Sequence, residues 1–297
     1  MSGRGLLAVS GAGGFVGGHF LAAARAAGYA VRALVRRPGE TTLDADEIAA
    51  FDLDDAGRLD PAVLSGCAGV VHLAARIPLK QDDPAEAGAC WRTNALGTLR
   101  LLECAIDAGV GQFVHTLSAN AYRPDIACAS EDDPMFPATR ATYYLASKMA
   151  QELYASFRAS GTGVAVAALR LSSVYGPGQE GGLLPAMIRR LQAGQGVALV
   201  NGGRFGADFV HVRDVAGAIL MVLEHRGEGP YNVGGGVRVT VREIVELLLA
   251  ETGARADLVE AVSVAGDDAG FPALNLDRLR GLGYDPVPFA QGLRQML

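Results

Sequence analysis

Tyr144 and Lys148 stand four residues apart in the run TYYLASKMAQE, and Ser118 ends the apolar run QFVHTLS. If the first run is a helix, positions i and i+4 share a face, so phenol and ammonium point the same way. A phenol with a pKa of about 10 is a poor base at neutral pH. A neighbouring ammonium stabilises the phenolate and lowers that value. The pair then suits proton exchange with a substrate hydroxyl or carbonyl, with Ser118 hydrogen-bonding the same oxygen. The lysine is itself unusual. Of 26 basic residues only Lys80 and Lys148 are lysine, so arginine is the ordinary surface cation here. Tyr143, five residues before Lys148, is the adjacent rival and reads as part of the rim.

Gly11, Gly14 and Gly17 form G-x-x-G-x-x-G after a short apolar run, and Gly13 adds an overlapping pattern. In such a turn the first glycine permits the bend and the second lets backbone approach a pyrophosphate. The third lets helix pack on strand, while the helix N-terminus offers N–H groups and a positive dipole end. A dinucleotide is the ligand this turn predicts. In the next apolar run, AVRALVRRP, Val35 stands where NAD-preferring folds carry a carboxylate for the adenosine ribose, and Arg36 and Arg37 follow. A guanidinium attracts a 2′-phosphate and binds it through two hydrogen bonds. NADP(H) is therefore the expected cofactor, with NAD(H) as the alternative if these arginines form only a solvated strand end.

These groups need elements to hold them. LLAVSG, AVRALV, GVVHLAA, QFVHTLS and GVAVAALRLSSVYG read as strands, and His19–Ala27, Thr93–Ala108 and Tyr143–Ser160 as helices between them. Strand and helix in alternation predict an α/β fold, a Rossmann-like doubly wound parallel sheet. Past Gly176 the rhythm breaks. GPGQEGG is a loop, Leu183–Ala193 and Val241–Thr252 are helical, and FVHVRDVAGAILMVLEH is a strand followed by a helix. The expected division is a dinucleotide-binding domain of residues 1–172 and 207–235, with a smaller discontinuous C-terminal substrate lobe of 173–206 and 236–297.

Taken in order, GAGGFVG (11–17), DL (52–53), HLAA (72–75), NALGTLRLLECA (94–105), Ser118, YLASK (144–148), LRLSSVYGPG (169–178), DFVHVRDVA (208–216) and YNVGGG (231–236) resemble the extended short-chain dehydrogenase/reductase family, also called the NAD-dependent epimerase/dehydratase family. The resemblance covers nearly the whole chain. It implies a catalytic role for Ser118, Tyr144 and Lys148, with Lys148 also holding the nicotinamide ribose. Asn94 then supports the strand carrying Ser118 or relays protons, unless it is only a polar residue in a helix's first turn. Phe15, Val16, Asp52, Leu53, Leu73, Ala74, Ala75 and Val174 join Gly11, Gly14, Gly17, Arg36, Arg37, Tyr144 and Lys148 as cofactor contacts. Ala119, Asn120, Tyr143, Ser173 and Arg204 fall at substrate positions.

The departures from the family pattern narrow the chemistry. Dehydratases resemble one another in carrying Thr-Asp-Glu where this chain has Ser118-Ala119-Asn120, and Ala119 can be neither acid nor base. Members that epimerise beside a carbonyl carry a cysteine where Asn120 stands. Two arginines that clamp a sugar-nucleotide diphosphate fall on Ala207 and Val264, leaving Arg204 as a substitute from the loop. The expected reaction is reversible reduction of a keto-sugar (4-keto-6-deoxy, nucleotide-linked or not) or a similar bulky ketone. An NAD-retaining nucleotide-sugar 4-epimerase is the alternative.

Net charge is -6 without a Lys/Arg cluster, which disfavours nucleic acid and anionic membranes as partners. No run of membrane-spanning length occurs, and the four cysteines show no C-x-x-C. The expectation is a cytoplasmic protein with reduced thiols, no metal site and a small-molecule substrate; the family resemblance alone implies a homodimer through the Tyr143–Ser160 helix. His72 and His115 read as core residues. Asp208, Arg213 and Asp214 read as a structural ion-pair cluster.

Overall fold

The computed structural model describes residues 4–40, 42–54, 60–78, 80, 83–136, 140–266 and 269–297. Its first half contains β1 (Leu6–Ser10), α1 (Phe15–Ala26), β2 (Ala30–Val35), β3 (Glu47–Ala50), β4 (Cys67–His72), α2 (Ala85–Cys90), α3 (Gly97–Asp107), β5 (Gln112–Ser118), β6 (Cys128–Ala129) and α4 (Thr142–Ala159). The second half contains β7 (Ala165–Leu171), β8 (Ser173–Tyr175), α5 (Leu183–Gln192), β9 (Val197–Val200), β10 (Gly206–His211), α6 (Val212–Glu224), β11 (Gly229–Val233), β12 (Arg238–Thr240), α7 (Val241–Thr252), β13 (Val259–Val262), β14 (Ala273–Leu274), α8 (Asp277–Arg280) and α9 (Phe289–Arg294).

Seven strands pair in the order β3-β2-β1-β4-β5-β7-β11, every pair parallel. The winding reverses between β1 and β4, and doubly wound sheets bind ligands in the crevice at that point. The expected α/β sheet is present. β5 and β7 are buried at every position, as befits strands covered on both faces. On one face Phe20 and Leu21 of α1 and Ile219 and Val222 of α6 share a core with Leu7 and Val114. On the other, Leu101 and Leu102 of α3 and Ala155 of α4 pack with Val70, Phe113 and Val166. A third core, including Ile188, Phe209, Ile244 and Leu293, joins α5, α7 and α9 to β10.

Several elements differ from the sequence expectation. GVAVAALRLSSVYG is two strands: β7 belongs to the large sheet, whereas β8 pairs with β10, which also pairs with β12. Between them the Ser172 amide donates to the Val233 carbonyl, 2.9 Å away, and the chain changes sheets. α1 starts at Phe15, four residues early, because close packing of Gly17 on the preceding turn outweighs glycine's poor helix propensity. β3 was not expected, being a four-residue, largely exposed edge strand with no alternating pattern. The proposed ion-pair cluster is not one among the described residues. Asp208 instead accepts the Gly235, Gly236 and Leu274 amides at 2.6, 3.0 and 3.0 Å, and Asp214 accepts the Val287 amide at 2.9 Å.

Candidate active site

β1 delivers Ser10 to the reversal point, and Gly11 then turns the chain at φ +73°, a conformation L side chains rarely adopt. A Cβ on Gly11 would stand 2.5 Å from the Ala74 nitrogen, and one on Gly17 would overlap the Gly11 carbonyl oxygen. The first and third glycines therefore serve backbone packing. Gly13 is open, its nearest neighbour being Leu43 Cδ2 at 3.8 Å. The bare turn and the N-terminus of α1 form one wall of a cavity of about 870 Å³ that also takes in Arg36, Ser118, Tyr144 and Lys148. Its size suits a large cofactor, and the exposed Gly13 and Gly14 at a helix N-terminus leave room for a pyrophosphate to approach the backbone. The residues present fit a dinucleotide.

Lys148 lies within the α4 face that packs on the sheet and is 3% exposed. Its Nζ donates to the Thr116 carbonyl at 2.8 Å and to Gln151 Oε1 at 2.9 Å. Burial pulls the ammonium down to about 7 and pushes the Tyr144 phenol up to about 12, with Cys90 adding to the latter. The expected lowering of the phenol pKa is thus absent from the protein alone. Desolvation dominates both groups, and Lys148 is not among the influences that shift the phenol. Ser118 closes β5, is largely buried and faces the same cavity as the phenol. Ser118, Tyr144 and Lys148 thus border one space.

The cavity also brings together Gly14, Phe15, Val16, Asp52, Leu53, Leu73, Ala74, Ala75 and Val174. Arg36, exposed at its edge, has no ion-pair partner among the described residues, whereas Arg37 lies outside the lining and pairs with Glu40 at 3.0 Å. Ala119 and Asn120 form the helical turn after Ser118, Tyr143 is half-buried, and Ser173 sits on β8. Arg204 is exposed beyond the Asn201–Gly203 turn, and its carbonyl accepts from Arg238 at 2.9 Å. None of these five lines the cavity.

Asn94 lies outside the cavity lining, fully buried in a single π-helical stretch, Trp91–Leu96, between α2 and α3. Its amide accepts from the Arg76 nitrogen at 2.7 Å and donates to the Arg76 carbonyl at 3.0 Å and Ser147 Oγ at 2.9 Å. It ties the segment after β4 to α4, one residue before Lys148, rather than bracing β5. His72 and His115 are buried, and desolvation holds both below the usual histidine range. His72 is satisfied by Ser10 Oγ at 2.6 Å and Thr98 Oγ1 at 2.8 Å; His115 Nε2 has no partner among the described residues.

Sequence reading missed Thr116 and Gln151. A main-chain carbonyl leaves no trace in side-chain pattern, but Gln151 was findable: three residues after Lys148 and seven after Tyr144, it shares their helix face. Among the described residues no three His, Cys, Asp or Glu side chains converge as metal ligands, and no helix is long and apolar enough to cross a membrane.

Residues 7–234 match the family model for the NAD dependent epimerase/dehydratase family. The chain is 30% identical to dTDP-4-dehydro-6-deoxy-D-allose reductase of Streptomyces bikiniensis over 97% of its own length and 93% of that protein. It is 31% identical to UDP-glucose 4-epimerase of Mycolicibacterium smegmatis over 83% and 82%. Among solved structures, dTDP-glucose 4,6-dehydratase DesIV of Streptomyces venezuelae with NAD bound superposes with a TM-score of 0.83 at 32% identity, covering 98% of this chain and 95% of that one. Sheet order, glycine turn and the Ser118, Tyr144 and Lys148 corner accompany these similarities, and the chain belongs to the NAD dependent epimerase/dehydratase family of enzymes.

Proposed function

We propose that this enzyme reversibly reduces the carbonyl of a keto-sugar, 4-keto-6-deoxy and nucleotide-linked or not, or of a similar bulky ketone, with NADP(H). The observation carrying this reading is the shared cavity of the glycine turn, Arg36, Ser118, Tyr144 and Lys148. When bound, the dinucleotide supplies or accepts the hydride. Tyr144 gives a proton to the carbonyl oxygen in reduction and takes it back in oxidation, while Ser118 donates a hydrogen bond to that oxygen. Lys148 favours the phenolate and holds the ribose. Ala119 and Asn120, next to Ser118, offer no acid and base for eliminating water, which favours reduction over dehydration. A reductase and a dehydratase match the chain over nearly its whole length alike, so the choice rests on these two residues.

The preference for NADP(H) rests on Arg36, unpaired among the described residues at the cavity edge where a carboxylate would repel a 2′-phosphate. An NAD-retaining nucleotide-sugar 4-epimerase is the second reading, supported by the NAD in the solved relative and by the matched epimerase. Titrations of NADPH and NADH on the wild type and on Arg36→Ala/Arg37→Ala separate the two. NADPH is expected to bind more tightly, and the double variant to lose that preference. Equal affinities in the wild type, or NAD retained through purification, would promote the epimerase.

Residues 173–206 and 236–297 are assigned to the substrate lobe. A cytoplasmic location accords with four unpaired cysteines. A homodimer through α4 accords with Leu153 and Phe157, which are 66% and 83% exposed.

A further inference from the structure

Beneath the Tyr144 and Lys148 corner lies a chain of buried polar groups that the reaction itself does not use. Lys148 Nζ donates to Gln151 Oε1 at 2.9 Å, and Gln151 Nε2 meets His115 Nδ1 at 2.9 Å. Gln151 and His115 are both fully buried. An amide can present either end to an ammonium, and only its oxygen end is favourable. Lys148, which can only donate, takes the oxygen end, and the Thr116 carbonyl accepts from Gln151 Nε2 at 3.3 Å at the other end. His115 Nδ1 then accepts from the same amide nitrogen. The Thr116 carbonyl takes a second ammonium proton at 2.8 Å. Lysine has three donors, so one remains.

We propose that Gln151 is a positioning residue for Lys148: its amide, held between the ammonium and the Thr116 carbonyl, aims the ammonium's remaining donor at the cavity without neutralising its charge. A carboxylate at the same place would hold the ammonium equally well but would cancel the field at Tyr144. His115 of β5 and His72 of β4 feel the Lys148 charge, Tyr144 stands one helical turn before it and lines the same cavity, and Cys90 of α2 acts on Tyr144. No carboxylate among the described residues pairs with Lys148 or counts among the influences on its titration. The neutral glutamine is therefore what leaves that charge uncompensated.

The kinetic consequence rests on the proposed function, but the primary test does not. With only two lysines in the chain, ¹³C,¹⁵N-lysine labelling gives two side-chain signals, and Lys80→Arg identifies that of Lys148. Gln151→Glu is expected to raise the Lys148 titration midpoint by about 1–3 units. Gln151→Met, which removes the acceptor, is expected to lower it, and is read by itself if the glutamate variant does not fold. A midpoint unmoved in the folded variants overturns the proposal. In turnover, Gln151→Glu should shift the rate profile of alcohol oxidation toward higher pH, a change that simple loss of stability does not produce. A moved midpoint in a protein that reduces no ketone would leave Gln151 in its role and remove the assigned reaction.

Discussion

At the scale of single residues, the proton-transfer assignment turns on one oxygen. Tyr144→Phe removes the phenol hydroxyl while leaving ring packing and the glycine turn in place, so dinucleotide affinity should be nearly kept. Turnover is expected to fall by about 10²–10⁴-fold, the range for a lost general acid or base. Tyr143→Phe, half-buried and outside the cavity lining, is the control. Near-normal turnover by purified Tyr144→Phe, measured beside that control, would remove Tyr144 from its role. That Tyr144 and Lys148 share a helix face was legible from their spacing, and Ser118 from its place at the end of an apolar run; all three line one cavity. Their electrostatic state was not legible. Burial sets the phenol near 12 and the ammonium near 7, and burial of a given helix face depends on the sheet beneath it.

Among the elements, the chain's passage between sheets relies on one buried carboxylate. Asp208 on β10 is 2% exposed and gathers the Gly235, Gly236 and Leu274 amides, joining the turn after β11 to β14. Desolvation outweighs these hydrogen bonds and raises its pKa to about 6 from 3.8. An acid with a raised folded pKa binds more protons folded than unfolded between those values. Its contribution to stability is therefore lost as pH rises from about 4 to 6. The loss is on the order of 3 kcal/mol, at about 1.4 kcal/mol per unit. In urea denaturation at pH 4.5 and pH 7, wild type should gain stability on acidification relative to Asp208→Asn, which cannot titrate. A difference between the two proteins that is the same at both pH values would refute the assignment. Sequence pattern placed β10 and the YNVGGG strand but not this bond, since a carboxylate serving three amides has no periodicity. The break at Ser172 was hidden likewise, because β7 and β8 continue one apolar run across two sheets.

For the whole molecule, the dimer proposed above would bring α4 into both chemistry and assembly. Its inner face carries Lys148, Gln151 and Ala155 in the interior, while Leu153 and Phe157, four residues apart, share the opposite face and stand largely exposed. Trp91 adds to that side, 39% exposed and packed edge-on against Tyr154 at 6.2 Å. Taking a Leu or Phe side chain out of water contributes about 1.5–3 kcal/mol, and a twofold axis would use each of these residues twice. Leu153→Glu/Phe157→Glu places two carboxylates on each copy of that face and is expected to convert a dimer to a monomer, read by sedimentation or light scattering. Since neither residue lines the cavity, dinucleotide binding by the variant should stay within a few-fold of wild type, consistent with the small effect of surface changes away from a site. A wild type that sediments as a monomer would remove the dimer from this description. A double variant that remains dimeric would move the interface to another face.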